Sequence, residues 1–178
     1  MPSTDGTRDG TLKAREWVFA CEDLAMAALP AAFPRPQRHV EWTMLQLHYG
    51  DPKVHFELQP MVARGRAELG LHFEGTVEAN DLWAAHIACH SDEVVAGLGS
   101  EWELEEWTAS WRRLHRVFPF EKLTTSLSRE VGAELHRALI TLQPLVASGP
   151  NTTALAPPPR PQHRGEERNW RRKAKAAR

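Results

Sequence analysis

Hydrophobic residues near the start of the chain recur every three or four positions. This spacing predicts an amphipathic helix over residues 12–29, with Thr11 as its N-cap and Pro30 directly after its end. The apolar stripe of this helix consists of Trp17, Cys21, Leu24 and Ala28.

The next three segments alternate instead between apolar and polar residues. This period of two, interrupted by "GDPK" and "ARGR", predicts a three-stranded antiparallel meander with one apolar and one polar face. We expect helices to cover the apolar face only. The apolar positions are Thr43, Leu45, Leu47 and Tyr49, then Val54, Phe56 and Leu58, then Leu69, Leu71 and Phe73.

Helical spacing returns in the second half of the chain. Thr76 is placed to cap a helix over residues 77–98, and a last helix is expected to begin near residues 125–126. The segment between them fits both patterns, but its Trp, Val and Phe content favours two strands over 102–107 and 111–118.

The element order α-β-β-β-α-β(β)-α predicts an α+β fold, an antiparallel meander with helices packed on one face. We expect a single domain over residues 11–147, because this length suits one hydrophobic core. Residues 1–10 are polar and predicted to be disordered. Residues 148–178 form a proline-rich linker and a disordered basic tail.

The charge is divided unevenly along the chain. Residues 1–150 hold 14 Lys and Arg against 21 Asp and Glu, whereas residues 151–178 hold 8 against 2. An acidic body therefore carries a basic tail, which is typical of proteins that bind nucleic acid or an acidic surface.

The sequence predicts a cytoplasmic protein without a bound cofactor. It shows no charged-then-apolar leader and no apolar run long enough to span a membrane, and two cysteines are too few for a disulfide framework. A P-loop, a Gly-x-Gly-x-x-Gly and a Gly-x-Ser-x-Gly elbow are all missing, so we expect no cofactor and no membrane partner.

Histidines on the polar side of the meander are the first candidates for a site. Pairing Tyr49 with Val54, and Val62 with Ala67, sets a register that forms two cross-strand polar rows. The first row is His48, His55 and Glu74, and the second row is Gln46, Glu57 and His72.

Imidazoles and carboxylates in such rows are able to bind a divalent metal or to act as a base with its orienting acid. The candidate residues are His48, His55, Glu57, His72 and Glu74. Cross-strand His–Glu neighbours on a water-exposed face need no ligand, however. The sequence favours this second interpretation, a solvated sheet face.

A second candidate is "HIACH", in which His86 and His90 share a helix face as zinc ligands do. The glutamate of the His-Glu-x-x-His pattern is missing, since Ile87 stands there. The favoured interpretation is that His90 packs beside Trp83 at the boundary of the core, since helical spacing places it next to the apolar stripe.

A third candidate is the cationic cluster in "WTASWRRLHR". Its arginines, flanked by tryptophans, are suited to phosphates or stacked bases. Because glutamates are so close in the sequence, we favour ion pairs with Glu103, Glu105 and Glu106 instead. The arginines are Arg112, Arg113 and Arg116.

The fourth candidate is the basic tail, which phosphate backbones would attract more strongly at low salt. It could instead dock on the acidic body of the same or another copy. Its candidate contact residues are Arg168, Trp170, Arg171, Arg172, Lys173, Lys175 and Arg178.

Three segments together carry a family resemblance. "AELGLHFE", "WELEEWTASWRRL" and "GAELHRALITLQPLV", in this order, resemble a small α+β domain of uncharacterised bacterial proteins that sometimes sits beside restriction-endonuclease-like nuclease modules. The resemblance covers residues 41–146 and implies an accessory or binding domain. It implies no nuclease activity, because the Pro-Asp and acidic-x-Lys signature of the nuclease module is absent.

The sequence favours a small non-enzymatic binding or adaptor protein whose tail contacts nucleic acid or an acidic protein surface. Two alternatives stay open. One is a metal-assisted hydrolase that uses the His/Glu rows, and the other is a self-associating scaffold in which tail and acidic body meet.

Overall fold

The computed structural model describes residues 9–152, which form four helices and one six-stranded sheet. The helices are α1 (Ala14–Ala28), α2 (Val77–Cys89), α3 (Ser91–Leu98) and α4 (Thr125–Ala147). The strands are β1 (Gln37–Glu41), β2 (Met44–His48), β3 (Val54–Met61), β4 (Arg66–Phe73), β5 (Glu103–Glu106) and β6 (Arg112–Pro119).

The sheet has the order β1-β2-β3-β4-β6-β5, and every neighbouring pair is antiparallel. The helices pack on one face of it, which confirms the predicted α+β fold. The additional strand β1 was not predicted, because its residues are almost all exposed and show no apolar alternation.

The core lies between the apolar face of the sheet and the helices. The ring of Phe73 on β4 stacks on Trp83 of α2 at a centroid distance of 5.7 Å. Trp17 of α1 and Leu139 of α4 are fully buried, as is Leu69 of β4. Because period-two alternation sends successive side chains to opposite faces, the polar residues of these strands collect on the other side, here called the open face.

The first helix begins later than its sequence pattern predicts. Thr11 forms an isolated β-bridge with Thr124 instead of capping the helix. The helix is preceded by Lys13, whose backbone N–H donates to the carboxylate of Glu16 at 3.0 Å. Of the residues predicted to be disordered at the start, Asp9 is described and accepts a hydrogen bond from the first turn of α4.

The predicted helix over residues 77–98 is two helices, divided at His90. The His90 ring Nδ1 lies 2.8 Å from the carbonyl oxygen of His86 and donates to it. This carbonyl would normally accept the backbone N–H of His90, which bonds to Ile87 instead. A local side-chain bond therefore replaces one helical hydrogen bond at the division.

Both strands predicted between residues 102 and 118 are confirmed. Trp111 and Trp107 close the hairpin between β5 and β6 through a backbone hydrogen bond of 3.1 Å. The final helix also begins where predicted, with Thr124 as a side-chain cap for the backbone N–H of Leu127.

Candidate metal centre

The open face brings together histidines and glutamates from adjacent strands. The predicted pairing of β2 with β3 is confirmed, with His48 opposite His55 and Gln46 opposite Glu57. The turn between these strands therefore places two histidines side by side, as counting from the Gly-Asp-Pro segment predicted.

The predicted pairing of β3 with β4 is wrong by two residues, because the hairpin closes one residue earlier on each strand. Its connection is a 3₁₀ turn that ends at Gly65 in the left-handed conformation, with φ 61°. A shift of two preserves the face that each side chain occupies. His55 thus lies opposite His72 rather than Glu74, and Glu57 lies opposite Gly70 rather than His72.

The sequence favoured a solvated open face, but the centre of this face is buried. The exposed fraction is 2% for His55, 1% for His72 and 7% for Glu57. Long side chains on neighbouring strands cover one another, and the ring of Trp107 lies 5.2 Å from that of His72. Because buried polar groups need partners, the contacts of this cluster decide what it does.

Four side chains converge here, from His55, Glu57, His72 and Glu74. One potential ligand atom from each lies within 4.8 Å of all the others. The His55 Nε2–Glu57 Oε2 distance is 3.5 Å, and the His72 Nδ1–Glu74 Oε1 distance is 3.6 Å. A tetrahedral ion with bonds of about 2.1 Å separates its ligands by about 3.4 Å, so both pairs already match.

The lone pair of His55 points toward the cluster. Its Nδ1 lies 2.9 Å from the carbonyl oxygen of Pro52, which only accepts, so Nδ1 carries the proton. Nε2 is then the acceptor and receives a hydrogen bond of 3.1 Å from the amide of Gln46. The same amide donates to Glu57 at 3.0 Å, which holds both groups in place.

His72 is the least satisfied group of the cluster. Neither of its ring nitrogens has a hydrogen-bond partner among the described residues, although the side chain is 1% exposed. Nδ1 faces Glu74, and Nε2 lies 3.8 Å from Glu68, beyond hydrogen-bond length. A buried imidazole without partners costs free energy, which a bound ion would offset.

The electrostatics of the centre shift the pKa values of His55 and Glu57 in opposite directions. Burial disfavours charge on both His55 and Glu57. For His55, the contact with Glu57, the charge of Glu74 and the Pro52 carbonyl outweigh burial and raise its pKa above 6.5. For Glu57, the bond with His55 and the charge of His72 outweigh burial and lower its pKa below 4.5.

The fifth candidate, His48, lies beside this group without joining it. It is half-buried and opposite His55, but it contributes no atom to the four-residue cluster. The structure therefore retains four of the five residues predicted for this face.

Further charged groups surround the centre, and two of them, Glu68 and His115, were not predicted from the sequence. Arg113 of β6 forms a buried ion pair with Glu68 and a partly exposed one with Glu105, whose carboxylate lies 2.7 Å from its Nε. His115 shares this face, and burial together with the charge of Arg113 lowers its pKa. Glu68 precedes His72 by four residues on one strand, so alternation alone would have placed both on one face.

The three arginines predicted as one cationic cluster lie on two faces of the sheet. Arg112 pairs with Asp81 of α2 at 2.9 Å, and Arg116 pairs with Glu134 of α4 at 3.2 Å, both on the helix side. Ion pairing was predicted correctly: Arg113 pairs with Glu105 and Arg112 with Glu106, as expected. Glu103 pairs with none of the three arginines, and their other partners were not predicted. A surface for phosphates built from Arg112, Arg113 and Arg116 is not present.

His86 and His90 do not form a metal site among residues 9–152. His86 Nε2 lies 3.0 Å from the carbonyl oxygen of Leu145, and His90 Nδ1 is bonded to the backbone of His86. The ring of His86 packs edge-on against Trp83 at 6.0 Å. His90 was the histidine predicted to pack beside Trp83, but His86 occupies that place, and the ring of His90 contacts that of His86 at 4.5 Å instead.

The predicted contact residues of the tail lie outside the described residues. They are Arg168, Trp170, Arg171, Arg172, Lys173, Lys175 and Arg178. No helix within residues 9–152 is long and apolar enough to cross a membrane.

Comparison with known proteins finds no match to a family, to a curated protein or to a solved structure. Any statement about function therefore rests on the geometry of the open face and on the charge of the chain.

Proposed function

We propose that this protein binds a divalent transition-metal ion through His55, Glu57, His72 and Glu74, and that the ion activates water for hydrolysis. The observation that carries the proposal is the convergence of these four groups around His72, a buried imidazole with no hydrogen bond to the described part of the chain. Two imidazoles with carboxylates are the ligand types of hydrolytic zinc sites.

The unequal burial of the four groups supports a reactive site rather than a closed structural one. The side chains of His55, Glu57 and His72 are 2%, 8% and 1% exposed, whereas that of Glu74 is 22% exposed. Because Glu74 is the exposed member, water would reach the ion from that side, as a fifth ligand or in place of this carboxylate. Such an ion lowers the pKa of bound water to about 7 and supplies hydroxide at neutral pH.

Both cysteines are free, which agrees with the proposed cytoplasmic setting.

The proposal is tested with chelator-treated protein titrated with Zn²⁺ and, separately, with Co²⁺. Calorimetry should show one ion per chain, lost in the double variant His55→Ala/His72→Ala and retained in His39→Ala. His39 is a matched control, because it lies exposed on β1 and outside the cluster.

The visible absorption of the Co²⁺-loaded protein distinguishes an open site from a closed one. An ion that holds water changes its spectrum as the water loses a proton near pH ~7. A spectrum that stays constant with pH would show a closed structural site and would refute the hydrolytic part of the proposal.

The charge division along the chain supports a second candidate function, the binding or adaptor role. The net charge is −7 over residues 1–150 and +6 over residues 151–178. The predicted cationic cluster of Arg112, Arg113 and Arg116 is paired with carboxylates, so this candidate rests on the tail, which would contact nucleic acid, an acidic protein or a second copy.

Deletion of residues 168–178 tests this second candidate. Electrophoretic mobility shift with a duplex DNA should show binding that weakens steeply with salt and is lost in the deletion. Unchanged binding would show that the tail takes no part in the interaction.

Sedimentation at low salt tests the self-associating scaffold, since a monomer under this condition would contradict self-association.

A further inference from the structure

A cavity of about 330 Å³ lies on the open face beside the proposed metal centre. Two of its lining residues also surround His72: Trp107 through the ring contact of 5.2 Å and Glu68 through the distance of 3.8 Å. The cavity and the centre are therefore neighbouring parts of one surface. Its polar lining consists of Gln59, Arg64, Arg66, Glu68, Trp107 and Arg113.

Three arginines against one glutamate give this cavity a positive charge. Arg113 is neutralised, since it pairs with Glu68 and Glu105. Neither Arg64 nor Arg66 forms an ion pair with a carboxylate of residues 9–152, although the body as a whole carries an excess of carboxylates. Two cationic side chains thus remain available to a ligand.

The guanidinium group of Arg66 has an unsatisfied hydrogen-bond donor. Its Nε is buried and has no hydrogen bond within the described part of the chain. Arg64 makes only a contact of 3.8 Å to the sulfur of Met61. A buried guanidinium nitrogen favours an acceptor oxygen, and planar guanidinium groups match the geometry of phosphate and carboxylate oxygens.

We propose that the cavity holding Arg64 and Arg66 binds an oxyanion, a phosphate or carboxylate group of the substrate whose bond is broken at the metal centre. The oxyanion site stands on its own contacts, whereas its assignment to a substrate rests on the proposed metal-assisted hydrolysis. Arg66 and Arg64 act here as binding residues and take no part in the chemical step.

The spacing of the two sites indicates an elongated substrate. Arg66 and His72 are six residues apart on β4, about 20 Å at about 3.3 Å per residue. The Arg66 end of the cavity therefore lies away from the bond that is broken, and the partly exposed ring of Trp107 lines the cavity and contacts His72. Inorganic phosphate is small enough to occupy the cavity without reaching the metal ligands, which makes it a clean probe.

The test is calorimetric titration of the metal-free protein with inorganic phosphate at low salt. The double variant Arg64→Ala/Arg66→Ala should lose at least about tenfold in affinity, since two charge-assisted contacts are removed. Lys122→Ala is the matched control, because it removes one exposed cation elsewhere and should bind phosphate as the wild type does. Thermal denaturation checks that both variants fold.

Two results would overturn the inference: a wild type that does not bind phosphate or acetate, or a double variant that binds as the wild type does. Tighter phosphate than acetate assigns a phosphoryl group, and the reverse order assigns a carboxylate. The variant His55→Ala/His72→Ala should still bind phosphate. Phosphate binding in a protein that binds no Zn²⁺ would therefore refute the metal centre alone.

Discussion

Replacing His72 with leucine should make the metal-free protein more stable while removing its response to metal. Leucine has a volume similar to that of histidine and no polar atoms. Both ring nitrogens of the replaced imidazole are buried without a hydrogen bond among residues 9–152. Each unpaired buried group costs about 1–3 kcal/mol.

Part of this gain is offset, because the variant loses the attraction between His72 and the carboxylates of Glu68 and Glu74, at 3.8 and 3.6 Å. We expect a net stabilisation of about 1 kcal/mol. For a domain of this size, this corresponds to a rise in Tm of about 2–4 °C.

Metal should make the wild type more stable than the His72→Leu variant. An ion at one hundred times its Kd stabilises the wild type by about 2.7 kcal/mol, and the leucine variant should gain nothing. Thermal denaturation in chelator and in Zn²⁺ measures both values, with His39→Ala as the control that behaves as wild type. A His72→Leu protein that is less stable in chelator, or that still responds to Zn²⁺, would refute the reasoning.

Three further predictions follow from other contacts. Zn²⁺ affinity should rise with pH and reach its half-maximum above pH 6.5, because the raised pKa of His55 keeps a proton in competition with the ion. Calorimetry that shows a constant affinity from about pH 5.5 to about pH 8 would contradict this. Arg113→Met should lower the free energy of unfolding by about 3 kcal/mol in urea denaturation, since it leaves the buried carboxylate of Glu68 without its cation. A loss below about 1 kcal/mol would show that the ion pair adds little to stability. Gly132→Ala should lower the free energy of unfolding by about 1–3 kcal/mol in the same assay, because its Cβ would lie 2.9 Å from the backbone oxygen of Cys21. An unchanged stability would contradict this packing of α1 on α4.

Much of the fold is predictable because burial on one side leaves a regular trace in the sequence. Alternation located β2, β3 and β4, and helical spacing located α4, since each of these elements packs an apolar face on the core. Strand β1 shows no such pattern, because it lies at the edge of the sheet and four of its five residues are exposed.

The candidate centre was predictable only in part. Alternation assigns side chains to a face, and a register error of two residues keeps them there, so His55, Glu57 and His72 were grouped correctly despite the wrong pairing. Alternation does not show what covers a face. The burial of His72 depends on Trp107, which reaches it from a hairpin distant in the sequence.

The ion itself provides the most direct test of the account. Crystals of the Zn²⁺-loaded protein, measured on both sides of the zinc absorption edge, should show one anomalous peak within about 2.0–2.2 Å of His55 Nε2 and His72 Nδ1, and of oxygens from Glu57 and Glu74. Absence of a peak at this place, or a peak at His86 and His90 instead, would contradict the proposed centre.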